Sequence, residues 1–220
     1  MKWLNKEKIK IVINGFIKAF WIFILGSIAG SIIETIVGIF QNGSLEIRQG
    51  LVYGPFVPVY GIGLVVYYFT LTRFKSYKKV FLASMILGAI TEYAFSYIQE
   101  KSFGTVSWDY SNLIFNIHGR TSLLHSIYWG FFGILFVKYV YPVLLKLEKY
   151  VYNNKFKFAS TFVITFMICN ITLSYFAGLR KCERQQNIEA GNAFEEFLDA
   201  NYPDELINKI YAEKIKKEKV

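Results

Sequence analysis

The chain predicts an all-α fold, a polytopic membrane helix bundle of about five transmembrane helices with a polar helical tail. Three observations carry this. Of 220 residues, 54% are hydrophobic and only 19% charged, below the roughly 25% charged residues of soluble domains. The apolar residues gather into runs long enough to cross a bilayer. The basic residues alternate between successive connections. The arm at 1–18, the 72–79 loop and the 146–157 connection carry five, four and four Lys/Arg, whereas 41–50 carries one and 100–121 two. By the positive-inside bias this places the N-terminus in the cytoplasm, the 41–50 and 100–121 loops outside and, after five spans, the tail outside. The net charge of +9 is thereby a topology signal, and no nucleic-acid role is read from it.

Residues 1–15 form a basic cytoplasmic arm. The apolar run behind it, about 16–40, is too long for a signal-peptide core of about 7–15 residues and reads as an uncleaved first span. Gly26 and Gly30, four apart, allow close helix approach, and Glu34 interrupts the run near its outer end. The second span, about 51–71, opens with Gly54, Pro55, Pro58 and Gly61, a composition that predicts a structural break, because each Pro removes a backbone donor and clashes with the preceding turn. Spans three to five lie at about 80–99, with Glu92 inside it, 122–145, bent near Pro142, and 156–179. Residues 180–220 are a polar tail with helical segments expected at 183–198 and 204–217. Cys169 and Cys182 are about 20 Å apart along a helix, too far to bridge, and no metal-ligand or cofactor-binding spacing is readable.

Two halves of the transmembrane domain look alike. Gly30-Ser31-Ile32-Ile33-Glu34 matches Gly88-Ala89-Ile90-Thr91-Glu92 at an offset of 58, and Arg48, Leu51 and Gly61 match Arg120, Leu123 and Gly133 at an offset of 72. Both copies run the same way, as in a parallel repeat, and such repeats bracket a site at their interface. Glu34 and Glu92 would then share a depth, and ionisable residues inside a membrane are functional-site candidates. Arg48, Arg120 or His125 is expected within reach of each. Ion pairs that only fix helix register are the alternative. Tyr53, Trp108, Asp109, Tyr110 and Asn116 complete the candidate substrate-binding set, the loop residues as a lid. No nucleophile–base spacing is readable, so no catalytic residue is assigned.

The sequence Arg48-x-Gly50-Leu51-x-Tyr53-Gly54-Pro55-x-x-Pro58-x-Tyr60-Gly61, with Glu34 before it and Glu92, Trp108-Asp109-Tyr110-Ser111, Asn116-x-x-Gly119-Arg120 and Ser122-Leu123 after it, resembles the bacterial ABC-transporter type IV (CmpB-like) membrane proteins over roughly residues 16–145. The resemblance implies a permease subunit in the bacterial cell membrane. Its partners would be the lipid bilayer and a separate ATPase subunit or other membrane protein, since no Gly-x-x-x-x-Gly-Lys-Ser/Thr loop occurs in these residues. Two other readings stay open. One is a non-catalytic membrane assembly or sensory protein. The other is a membrane enzyme acting on a lipid-linked or extracytoplasmic substrate.

Overall fold

The computed structural model describes residues 2–43, 50–211 and 215–216. It is a helical bundle. The helices are α1 (Lys2–Asn42), α2 (Pro58–Thr70), α3 (Tyr77–Phe103), α4 (Leu123–Leu135), α5 (Tyr141–Val151), α6 (Asn154–Arg184), α7 (Ala193–Asn201) and α8 (Asp204–Ile210). Among the described residues, four helical stretches are long and apolar enough to cross a membrane: 7–40, 77–103, 123–151 and 154–184. They overlap the first, third, fourth and fifth expected spans. The second differs. Its helix has 13 residues, about 20 Å at 1.5 Å per residue, and begins at Pro58. Val57 before it is extended, with φ −117° and ψ 97°, as the residue before a proline prefers.

Helix α1 packs chiefly on α2, and α3 on α4. Small residues make both approaches close. A Cβ on Gly26 would meet the Tyr60 carbonyl and Leu64, and one on Gly61 would strike Ser27 and Phe23. In the second pair a Cβ on Gly133 would strike Ser84. Aromatic side chains press on glycines in both: Tyr60 on Gly30 and Trp129 on Gly88. Tyr67 ties the pairs together, its hydroxyl donating to the carbonyls of Ser84 and Trp129. Beneath this lies a core of Ile22, Tyr67, Tyr68, Leu71, Val80, Phe136 and Leu144.

Pro142 acts earlier than its own position suggests. Having no N–H, it cannot bond the carbonyl one turn back. The five residues before Tyr141, Phe136–Val140, form a wider π-helical turn, the usual device for absorbing such a break. The tail also departs from expectation. Helix α6 runs on to Arg184 and the next helix starts only at Ala193. Asn192 sets that start: its side-chain oxygen accepts from the N–H groups of Phe194 and Glu195, and Glu195 returns to the N–H of Gly191, a reciprocal cap. Helix α8 ends at Ile210.

The tail folds back on the bundle. Leu198, Tyr202, Ile207, Ile210 and Tyr211 form an apolar cluster with Ala177 of α6 and Val52. The buried Arg180 guanidinium grips both oxygens of Asp199, at 2.9 and 2.8 Å, and Arg184 bonds Asp199 and Asp204. A bidentate guanidinium–carboxylate pair is among the stronger charge-assisted contacts. The Arg180 side chain holds Asp199 down at about pKa 2. Strand β4 (Ile215–Lys216) pairs antiparallel with β1 (Thr105–Val106). The tail and the 104–122 loop therefore lie at one end of the bundle.

Candidate functional site

Both long connections at that end return into the bundle. Thr121 and Tyr110 reach Glu92, and His118 Nδ1 meets the Tyr93 hydroxyl at 2.9 Å. Glu92 lies 11 residues before the end of α3, about 16 Å back along the helix axis. The 107–122 hairpin thus dips alongside α3 before α4 starts. In the first half, Val57 donates to the Ser27 carbonyl at 3.0 Å, which puts the 50–57 segment halfway down α1. Irregular backbone at membrane depth persists only where protein or a cavity satisfies it, and each segment has its own means.

In the 50–57 segment the partners come from α6. Asn170, 2% exposed, accepts from the Tyr53 N–H at 3.1 Å and donates to its carbonyl at 2.8 Å. The Ser174 hydroxyl accepts from the Val52 N–H at 2.9 Å. Gly54 turns the chain at φ 75°, a left-handed conformation that glycine adopts without strain. The Tyr53 hydroxyl pairs with that of Tyr202 at 2.8 Å, so Tyr53 faces the tail. Asn170 and Ser174 escaped the sequence reading. The available signal was their spacing of four, on the face that also carries the buried Ser160, Met167 and Ala177.

The hairpin supports itself. Asp109 Oδ1 accepts from the backbone and hydroxyl of Ser111, at 2.9 and 2.5 Å. Asn116 donates to the Leu113 carbonyl and accepts from the Gly119 N–H. The Trp108 indole donates to the Arg120 carbonyl at 2.8 Å. Strand β2 (Asn116–Ile117) pairs with β3 (Thr121–Ser122). Trp108, Asp109 and Asn116 thus shape the hairpin.

What the hairpin delivers is Tyr110 and Thr121. The buried Glu92 carboxylate accepts from the Thr121 hydroxyl at 2.8 Å and the Tyr110 hydroxyl at 3.2 Å. Burial, then the facing carboxylate, raise the Tyr110 phenol far above its ordinary value, so it remains a donor at physiological pH. His125 stacks on the Tyr110 ring at 3.7 Å and bonds Ser122 through Nδ1 at 2.8 Å.

Glu34 joins the same cluster from the other half. Its carboxylate accepts from the Tyr60 hydroxyl at 2.7 Å. The Tyr60 ring lies 6.0 Å from Trp129, and Tyr60 is within electrostatic range of Glu92 and Tyr110 as well as Glu34. Glu34, Tyr60, Glu92, Tyr110, Thr121, His125 and Trp129 therefore form one group where α1–α4 meet. Tyr60, Thr121 and Trp129 were not singled out by the sequence reading.

The expected charge pairing differs. Arg120 bonds Glu100 at 2.6 Å and lies over the rings of Tyr93 and Tyr97. It leaves the hairpin toward the end of α3, where Glu100 stands eight residues past Glu92, about 12 Å along the helix. Glu92 is instead met by hydroxyls. Arg48 lies outside the described residues.

No curated protein and no solved structure matches the chain. The family model described as "Putative ABC-transporter type IV" matches residues 21–175, a stretch that holds both dipping segments, both carboxylates and the α6 residues that hold the first segment in place. By that match over most of its length, this helical membrane protein belongs to the type IV family of ABC-transporter components.

Proposed function

We propose that the chain is a permease subunit, and that the group of side chains where α1–α4 meet is its solute site, reached from the outer face. The observation that carries this is the convergence of Glu34 and Glu92 on one set of aromatic and hydroxyl side chains. A pure helix-register device needs a countercharge. Glu92 is served by neutral donors, which a polar ligand group can displace one at a time. The packing supports reading the halves as parallel copies. Gly30, against Tyr60, and Gly88, against Trp129, each stand one turn before a Glu, and the matched glycines Gly61 and Gly133 each meet a serine, Ser27 and Ser84, one residue out of the repeat register. The alternating basic connections orient this end outward, with the N-terminus in the cytoplasm and the tail outside. The energy source would be a separate ATPase at the inner face.

The test compares solute distributions, by mass spectrometry of cells and medium, between cells with and without the protein and cells making Glu34→Gln at equal folded level. At least one solute should differ between the first two, with Glu34→Gln matching the cells that lack the protein. Identical profiles in the presence and absence of the protein would refute the permease reading.

A second reading, a non-catalytic assembly or sensory subunit, is favoured by one feature. The tail is tied to α6 by the Arg180–Asp199 and Arg184–Asp204 pairs and to the dipping segment by Tyr202, as a partner-sensing cap would be. In that case the solute profiles stay unchanged while deletion of 186–220 alters the mass of the assembled complex.

A further inference from the structure

At the opposite end of the bundle a cleft of about 170 Å³ opens between α1, α5 and α6. Trp21, Ile22, Leu25, Leu144, Leu147 and Phe156 form its walls. Lys18 and Glu148 stand at its mouth in an ion pair of 2.9 Å, their side chains 24% and 25% exposed. Lys18 Nζ lies 5.1 Å from the centre of the Tyr68 ring. The depth is ordered. Leu25 is seven residues further along α1 than Lys18, about 10 Å, and Leu144 lies one turn before Glu148, about 6 Å. Both helices run so that the charges mark the bundle end and the apolar walls lead toward its middle. The cleft belongs neither to the Glu34–Glu92 group nor to the permease reading.

We propose that this cleft seats one bilayer lipid, a glycerophospholipid with a phosphoethanolamine headgroup. An apolar slot open to hydrocarbon is filled by an acyl chain, and the headgroup then lies beside Lys18 and Glu148. A lone cation at the mouth would select any phosphate. A cation and an anion side by side select a zwitterion, phosphate on Lys18 and ammonium on Glu148, each contact charge-assisted. A Lys ammonium has three donors and a carboxylate about four acceptor sites, so their mutual bond leaves capacity on both. Ethanolamine carries N–H donors for Glu148, whereas a quaternary choline has none to give.

The test is native mass spectrometry of the full chain. It is released from micelles doped equally with phosphatidylethanolamine, phosphatidylcholine and phosphatidylglycerol of one acyl composition. The wild type should retain the ethanolamine lipid about tenfold over either competitor, the ratio that one charge-assisted hydrogen bond supplies. Leu147→Trp, which fills the slot, should remove the adduct, and Glu148→Gln should bring the ethanolamine and glycerol lipids level. Equal retention of all three lipids by the wild type, or preference for phosphatidylglycerol, overturns the proposal. So does an adduct undiminished in Leu147→Trp. The wild-type competition decides alone if either variant fails to fold.

Discussion

In the segment before α2, the backbone groups of Val52 and Tyr53 are satisfied by side chains of a helix 117 to 122 residues away in sequence. In the hairpin before α4 they are satisfied within 15 residues, by Trp108, Asp109, Asn116 and one β-bridge pair. Both segments sit at depth beside an apolar helix and both lead into a helix that approaches a carboxylate, half-buried Glu34 or buried Glu92. The first, 50–57, has eight residues, Pro55 among them, and draws on α6 at Val52 and Tyr53. The second, 107–122, is twice as long and spends that length on self-support. An unsatisfied backbone group in a dry interior is costly enough to require one solution or the other. The first segment therefore leans on α6 at Val52 and Tyr53, whereas the hairpin draws on its own side chains.

The largest expected effect follows from that dependence. Asn170→Leu strips partners from both the N–H and the carbonyl of Tyr53 while keeping the helix and most of the volume. At about 1–3 kcal/mol for each orphaned group, roughly 2–5 kcal/mol of stability should go, read as a fall in the unfolding midpoint in detergent. Hydrogen exchange should speed up in 50–57 and stay unchanged in 107–121. Equal acceleration in both segments would break the distinction between them.

Gly133→Ala comes next. Its new methyl would be driven into Ser84, and overpacking of this kind costs about 1–3 kcal/mol. Gly15→Ala in α1 meets nothing within 4 Å and should stabilise by up to about 1 kcal/mol through helix propensity alone. Thermal melts of the two variants side by side check the sign of each.

Asn116→Ala should be milder, about 1 kcal/mol, with faster exchange confined to the hairpin. Its effect on 50–57 should be nil.

The smallest expected effect is the acid response of the tail. Asp199 has a folded pKa of about 2 against an ordinary 3.8. Its contribution is complete above the ordinary value and is lost as pH falls through the folded one. The difference in melting midpoint between wild type and Asp199→Asn should be flat above pH 5 and shrink between about pH 4 and pH 2. It should be modest, because the carboxylate is 32% exposed and solvent screens such pairs.

Much of the carboxylate pair was legible in the sequence, because a Glu inside an apolar run stands out and the Gly-x-x-x-Glu pattern occurs twice. The break was legible too, since proline has fixed backbone consequences. What surrounds them was harder to read. A single Asn or Ser in a membrane helix is common, so Asn170 and Ser174 carry no mark of the distant backbone they support. Arg120 was expected on Glu34 or Glu92 because opposite charges in a membrane should meet. The direction in which its side chain leaves the hairpin decided for Glu100, a residue that looked like ordinary helix-end polarity. Thr121 and Tyr60 are ordinary residue types, and only the return of both connections into the bundle makes them partners of the carboxylates.

On the proposed function, Glu92 is held for a ligand rather than for the fold. Glu92→Gln tests it directly, because the amide keeps one acceptor for Thr121 or Tyr110 and nearly the same shape but gives up the charge. The measurement is solute distribution in cells normalised to folded protein, alongside the unfolding midpoint of the purified variant. The midpoint should stay within about 1 kcal/mol of wild type, the scale of a single hydrogen bond, and the solute profile should match cells that lack the protein. A variant that folds as well as wild type and moves the same solutes would contradict it. So would one whose loss of function only follows its loss of folded protein.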